Sequence, residues 1–210
     1  MKQILDQLLG SGKGWLEQGG EKRKGQLQGA LAGGALGMLL GHRKVNKYAG
    51  KIAALGGAAA LGGLALKLYQ DWQAGQAGAG GGSPPQPLAT LEGEALDQRA
   101  ALLVRAMIAA ARADGHIDET ERQRISDHLS ALGLRDTARY IDGELARALD
   151  PHALAREVTD MEQATELYFA SLLAIEVDHF MEHGYLDELA RALRLDPDLK
   201  GRIEQQVAAL

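Results

Sequence analysis

The chain has 210 residues, 46% of them hydrophobic but only 4% aromatic, and a formal net charge of −5. It contains no cysteine, which excludes disulfides, thiolate metal sites and cysteine nucleophiles. Residues 1–82 carry 21 of the 27 glycines and ten Lys/Arg against four Asp/Glu, whereas residues 83–210 carry 13 Lys/Arg against 24 Asp/Glu.

Two different physical objects follow from that asymmetry. The basic, Gly-rich first part suits an anionic lipid surface. The acidic, Leu/Ala-rich second part offers no basic groove with stacking aromatics, which argues against nucleic acid as a partner.

Residues 1–24 form an amphipathic N-terminal segment. Ile4, Leu5, Leu8 and Leu9 share one helical face, and Trp15 and Leu16 follow. The segment lacks the continuous apolar core and small-residue cleavage site of a secretory signal, so no removal is expected.

Residues 25–72 are expected to form a Gly-rich, membrane-associated helical hairpin. No fixed charge falls between Gly25 and His42, and Gly25, Gly29, Gly33, Gly37 and Gly41 recur at every fourth position. On a helix they make a flat stripe that lets another backbone approach closely, so self-association through this stripe is expected. The basic connector 43–51 leads to a second uncharged run, Ile52 to Leu66, with Gly56-Gly57 and Gly62-Gly63. Lys51 and Lys67 bracket that run and could snorkel to lipid head groups. Tyr48, Tyr69 and Trp72 flank the runs as interfacial aromatics do. At about 1.5 Å per residue the two runs reach roughly 27 and 22 Å, short of a hydrocarbon core of about 30 Å. The alternative is a helical hairpin outside the membrane whose glycines serve tight packing.

Residues 73–90 read as a linker, a Gly/Ala stretch followed by a stiffer cluster at Pro84, Pro85 and Pro87.

Residues 91–210 read as an all-α domain. The apolar spacing predicts helices over 96–113, 119–132, 136–149, 161–177 and 182–193. A short helix is expected to begin at Pro151 with Asp150 as N-cap. The last helix is capped by Asp196-Pro197 and runs to about Val207. A corner at 113–125, ADGHIDETERQRI, is matched 64 residues later, where Asp178 and Glu182 stand for Asp114 and Asp118. An internal duplication is the expected reason.

The stretches RAMIAAARADGHIDETERQRI (105–125), EQATELYFASLLAIEVD (162–178) and YLDELARALRLDP (185–197) resemble the TerB-like, tellurite-resistance superfamily. The whole layout is similar to YebE-type bacterial inner-membrane proteins. The resemblance implies a bundle of seven or eight helices with an internal duplication and a place in tellurite or envelope-stress responses. It also implies an inner-membrane location with the C-terminal domain in the cytoplasm, and a divalent cation at the acidic corners. That cation would fall to Asp114, Asp118 or Glu121, Asp178 and Glu182. His179, Phe180 and His183 depart from the small or polar residues common in the family.

The residues themselves leave two readings of the acidic site. Asp118 with Glu121 is the D-x-x-E form of a capping box, and Glu182 in a first helical turn is favoured by the helix dipole. Asp114 and Asp178 instead end apolar helices, where the dipole disfavours negative charge. Their offset could be an arginine such as Arg105 or Arg112, or an oxygen-ligated Ca²⁺, Mg²⁺ or Mn²⁺ ion. His179 and His183 read as surface residues, because one Glu-x-x-His is not the set a di-iron bundle needs. No G-x-S-x-G elbow, phosphate loop or H-E-x-x-H occurs. The expected function is therefore non-enzymatic. Either a membrane-tethered module binds a divalent cation, or a metal-free helical scaffold self-associates and binds an unknown protein partner.

Overall fold

A computed structural model describes residues 58–76, 87–113, 115, 122–123, 127, 135–175 and 180–210. Among them every regular element is helical and there is no strand. The described helices are α1 (Ala58–Gly75), α2 (Gly93–Ala111), α3 (Arg135–Leu145), α4 (Pro151–Ala155), α5 (Met161–Leu173), α6 (Phe180–Ala192) and α7 (Pro197–Ala209), with a 3-10 turn at Leu88–Thr90.

The bundle is built around α5. From Ala164 to Leu173 every residue of this helix is buried, the polar Thr165, Glu166 and Ser171 included. It packs against α1, α2, α6 and α7. Tyr168 and Phe169 are fully buried on it. Its buried hydroxyls are satisfied locally: Thr165 Oγ1 donates to the Met161 carbonyl at 2.8 Å and Ser171 Oγ to the Leu167 carbonyl at 3.0 Å. The Tyr168 hydroxyl donates to Glu204 at 2.8 Å, tying α5 to α7. Buried polar groups without such partners would cost about 1–3 kcal/mol each.

Helix ends follow their local chemistry. Asp150 caps α4 by accepting from the Ala153 N–H at 3.0 Å, with Pro151 at the first helical position. Asp196 and Pro197 do the same for α7. Asp160, which the apolar spacing alone does not mark, caps α5 from Gln163 N–H at 2.8 Å. Helix α3 stops at Leu145 rather than 149, and Leu149 is 40% exposed. The helix expected over 119–132 falls mostly outside the described residues, as do both acidic corners that suggested a duplication.

The inner-membrane hairpin requires correction. Among the described residues no helix is long and apolar enough to cross a membrane. Residues 58–66 of the second uncharged run belong to α1, which lies on α5, and Leu61 and Ala65 have no exposed surface. The reason is close packing. A Cβ at Gly62 would sit 2.9 Å from Leu88 Cβ and 3.0 Å from Glu166 Oε1, so this glycine brings α1 down onto the 3-10 turn and α5. Tyr69 and Trp72 are not an interfacial belt. Their rings stack on each other at 6.0 Å and pack against the bundle core. Lys67 is exposed on the outer face of α1. The stripe from Gly25 to Gly41 lies outside the described residues, as do residues 1–24 and most of the linker. Leu88, inside the expected linker, is 3% exposed and shares the core with α1 and α5.

Candidate functional site

Of the five acidic residues singled out by sequence, Asp114, Asp118, Glu121 and Asp178 lie outside the described residues. Glu182 lies in the first turn of α6 and is 4% exposed. Among the described residues no group of three or more His, Asp or Glu side chains is placed to hold a metal ion. Both arginines considered as counter-charges for Asp114 have other engagements. Arg105 pairs with Glu157 at 2.7 Å and Glu144 at 3.4 Å. Arg112 Nη1 donates to the carbonyls of Glu144 and Arg147 at 3.3 and 2.9 Å, closing the end of α3. His183 is exposed, in agreement with its reading as a surface residue; His179 lies outside the described residues.

A buried ion pair was not anticipated from the sequence. Arg99 Nε on α2 donates to Glu166 Oε2 on α5 at 2.5 Å, beneath α1 and the 3-10 turn. The two side chains are 8% and 3% exposed. Burial raises the Glu166 carboxyl above its usual range, and the Arg99 guanidinium holds back the rise. This pair ties α2 to α5 where Gly62 of α1 lies against Glu166.

Open space occurs at the other end of α5. A groove of about 530 Å³ lies between α4, the 156–160 connection, the start of α5 and the end of α6. Val158, Met161 and Leu193 supply apolar surface, and His152, Arg156, Asp160 and Arg194 supply the polar rim. Three of these four polar groups are engaged. The His152 ring lies 2.8 Å from Glu188. The Asp160 carboxylate accepts from Gln163 N–H at 2.8 Å, from Gln163 Nε2 at 3.0 Å and from Thr159 Oγ1 at 3.1 Å. Arg156 reaches Asp150 only at 3.7 Å and is largely exposed. Arg194 is exposed and makes no ion pair with any described residue.

Arg194 is also the one non-glycine residue with positive φ among those described, at 56°. The cause is the way α6 ends. Leu195 N–H bonds to the Ala190 carbonyl and Arg194 N–H to the Arg191 carbonyl, both at 3.0 Å. That is the Schellman pattern, whose left-handed position normally goes to glycine. An arginine there costs roughly 1 kcal/mol. The sequence signal was a helix stop, ALRLDP, with no glycine before its Asp-Pro, and periodicity alone does not show that the arginine occupies that position.

The DUF533 family, described as "Protein of unknown function (DUF533)", matches residues 25–207. The chain is 40% identical over 113 residues to "Uncharacterized protein in ampR 5'region" of Yersinia enterocolitica, covering 53% of this chain and 81% of that protein. No solved structure matches.

Proposed function

The chain belongs to the DUF533 family, a TerB-like family of unknown function, and we propose that it is a non-enzymatic helical scaffold that binds a protein partner in the groove between α4 and α6. The observation that carries this reading is the groove itself: an open depression of about 530 Å³ in which Val158, Met161 and Leu193 lie among His152, Arg156, Asp160 and Arg194. Such a surface combines burial with orientation, as peptide-recognition grooves do. Self-association through Gly25, Gly29, Gly33, Gly37 and Gly41 would make the scaffold multivalent and strengthen weak individual contacts.

The absence of native cysteine allows a clean test. Ala192 lines the groove and is half-buried, so Ala192→Cys in the full chain can carry an environment-sensitive dye. Peptides selected from a displayed library on the unlabelled chain should shift the dye emission and compete with one another. A selection whose enriched peptides never perturb the dye would sink the reading.

A second reading keeps a divalent cation, Ca²⁺, Mg²⁺ or Mn²⁺, at the acidic corner. It is favoured by the buried Glu182 carboxylate, four residues after Asp178. Calorimetric titration of the full chain with Mn²⁺ tests it. Absence of heat together with an unchanged melting temperature would rule it out.

A further inference from the structure

We propose that α1 is a strap that lifts off the bundle as one unit while α2 to α7 stay folded, uncovering the Arg99–Glu166 pair and one face of α5. This conformational device is separate from the groove and does not rest on the scaffold reading.

Two opposing terms meet under α1. Apolar contact holds it down: Leu61 and Ala65 have no exposed surface, and Leu64, Leu68, Tyr69 and Trp72 pack against the core. Unmet polar groups act the other way. The Trp72 indole Nε1 on α1 and Arg99 Nη2 of the pair beneath it are buried with no hydrogen-bond partner among the described residues. Among the described residues the Tyr185 hydroxyl alone shares that condition, so unmet donors concentrate at the seat of α1. Glu166 is 3% exposed there, and a Cβ at Gly62 would lie 3.0 Å from its Oε1. With α1 lifted, water reaches both donors and the ion pair, and that gain offsets part of the lost apolar contact.

The other helices are joined by polar bonds that do not involve α1. Tyr168 to Glu204 joins α5 to α7 at 2.8 Å, Lys200 to Asp187 joins α7 to α6 at 3.2 Å, and His152 to Glu188 joins α4 to α6 at 2.8 Å. The Arg99–Glu166 pair itself joins α2 to α5, and solvating it does not separate its partners. Chain length allows the motion. Twelve residues, 76–87, connect α1 to the 3-10 turn, a contour of at most about 40 Å, so Leu88 can stay in the core while Leu61 leaves it. Off the bundle the helix does not persist. It has 18 residues, Gly62 and Gly63 lie in its interior, and isolated helices near this length are marginal in water. Lifting and melting are therefore one event, which amide exchange detects.

The first test needs no substitution. Native-state hydrogen exchange of the full chain is followed in urea concentrations below the unfolding transition. Amides 61–75 of α1 should share one protection level, at least about tenfold below that of amides 164–173 of α5, with a weaker urea dependence. The second test uses the absence of native cysteine. Ala65→Cys on α1 should react with a thiol reagent at least about tenfold faster than Ala170→Cys on α5, both sites being fully buried. Gly62→Ala should quicken the Ala65→Cys reaction, because its Cβ presses on Leu88 and Glu166, whereas Gly63→Ala should not. The proposal is overturned if α1 shares the protection and urea dependence of α5, if protection instead rises gradually inward from the ends of α1 as in simple fraying, or if the two thiols react alike.

Discussion

Arg99 and Glu166 meet where a salt bridge is least favourable. Both charges leave water, and Arg99 Nη2 finds no hydrogen-bond partner among the described residues. Desolvation of such a pair rivals its Coulomb gain, so it holds geometry more than it adds stability. Removing one partner is a different matter. Arg99→Met should cost about 3–5 kcal/mol near neutral pH, because a buried carboxylate is left alone. Arg99→Met with Glu166→Leu should recover most of that loss. The pH dependence has a defined sign. The folded carboxyl titrates above its ordinary value of 4.5, with burial the largest cause. The folded chain therefore holds its proton where the unfolded chain has lost it, and this group's contribution falls as pH rises from 4.5 through the raised value. Urea unfolding across that window checks both points. A slope of the opposite sign at Glu166, isolated by comparison with Glu166→Gln, would refute the assignment.

Elements with a periodic or capping signature were legible in the sequence. Asp150-Pro151 and Asp196-Pro197 read directly as helix starts, and the helices that became α2, α5, α6 and α7 followed from apolar spacing. Helix α1 carried a signal as well: Leu61, Leu64, Ala65, Leu68, Tyr69 and Trp72 fall on one helical face. The absence of charge up to Leu66 drew attention to a bilayer instead. Two neighbouring glycines distinguish close helix packing from mere tolerance. Gly62 is buried against Leu88 and Glu166, whereas a Cβ at Gly63 would meet nothing within 4 Å. Gly63→Ala should stabilise the chain by about 1 kcal/mol through helix propensity. Gly62→Ala gains the same propensity but forces α1 off α5, and overpacking of this kind costs about 1–3 kcal/mol. Thermal melts of the two variants should therefore move in opposite directions, or Gly62→Ala should at least melt well below Gly63→Ala. Equal upward shifts would mean that α1 does not press on the bundle.

At the scale of the whole molecule, pairings far apart in sequence decided what remained hidden. Arg99 and Glu166 are 67 residues apart, and a buried polar pair leaves no period for a sequence pattern to reveal. The Arg156–Arg194 rim depends on how α4 and α6 pack, and no local rule supplies that. The same long-range packing makes α1 part of the bundle rather than a tether to it. Leu61 and Leu88 are 0% and 3% exposed, and both precede residue 91. Each fully buried leucine contributes about 1.5–3 kcal/mol, so a chain beginning at residue 91 forfeits roughly 3–6 kcal/mol from these two alone. It also opens the Arg99–Glu166 pair to water. Against a typical domain stability of about 5–15 kcal/mol, that loss is large. A chain beginning at residue 58 keeps α1 and should unfold in one cooperative transition near the full-length midpoint. The chain beginning at 91 should melt far lower and bind a hydrophobic dye. If the two truncated chains melt alike, α1 does not belong to the folded unit.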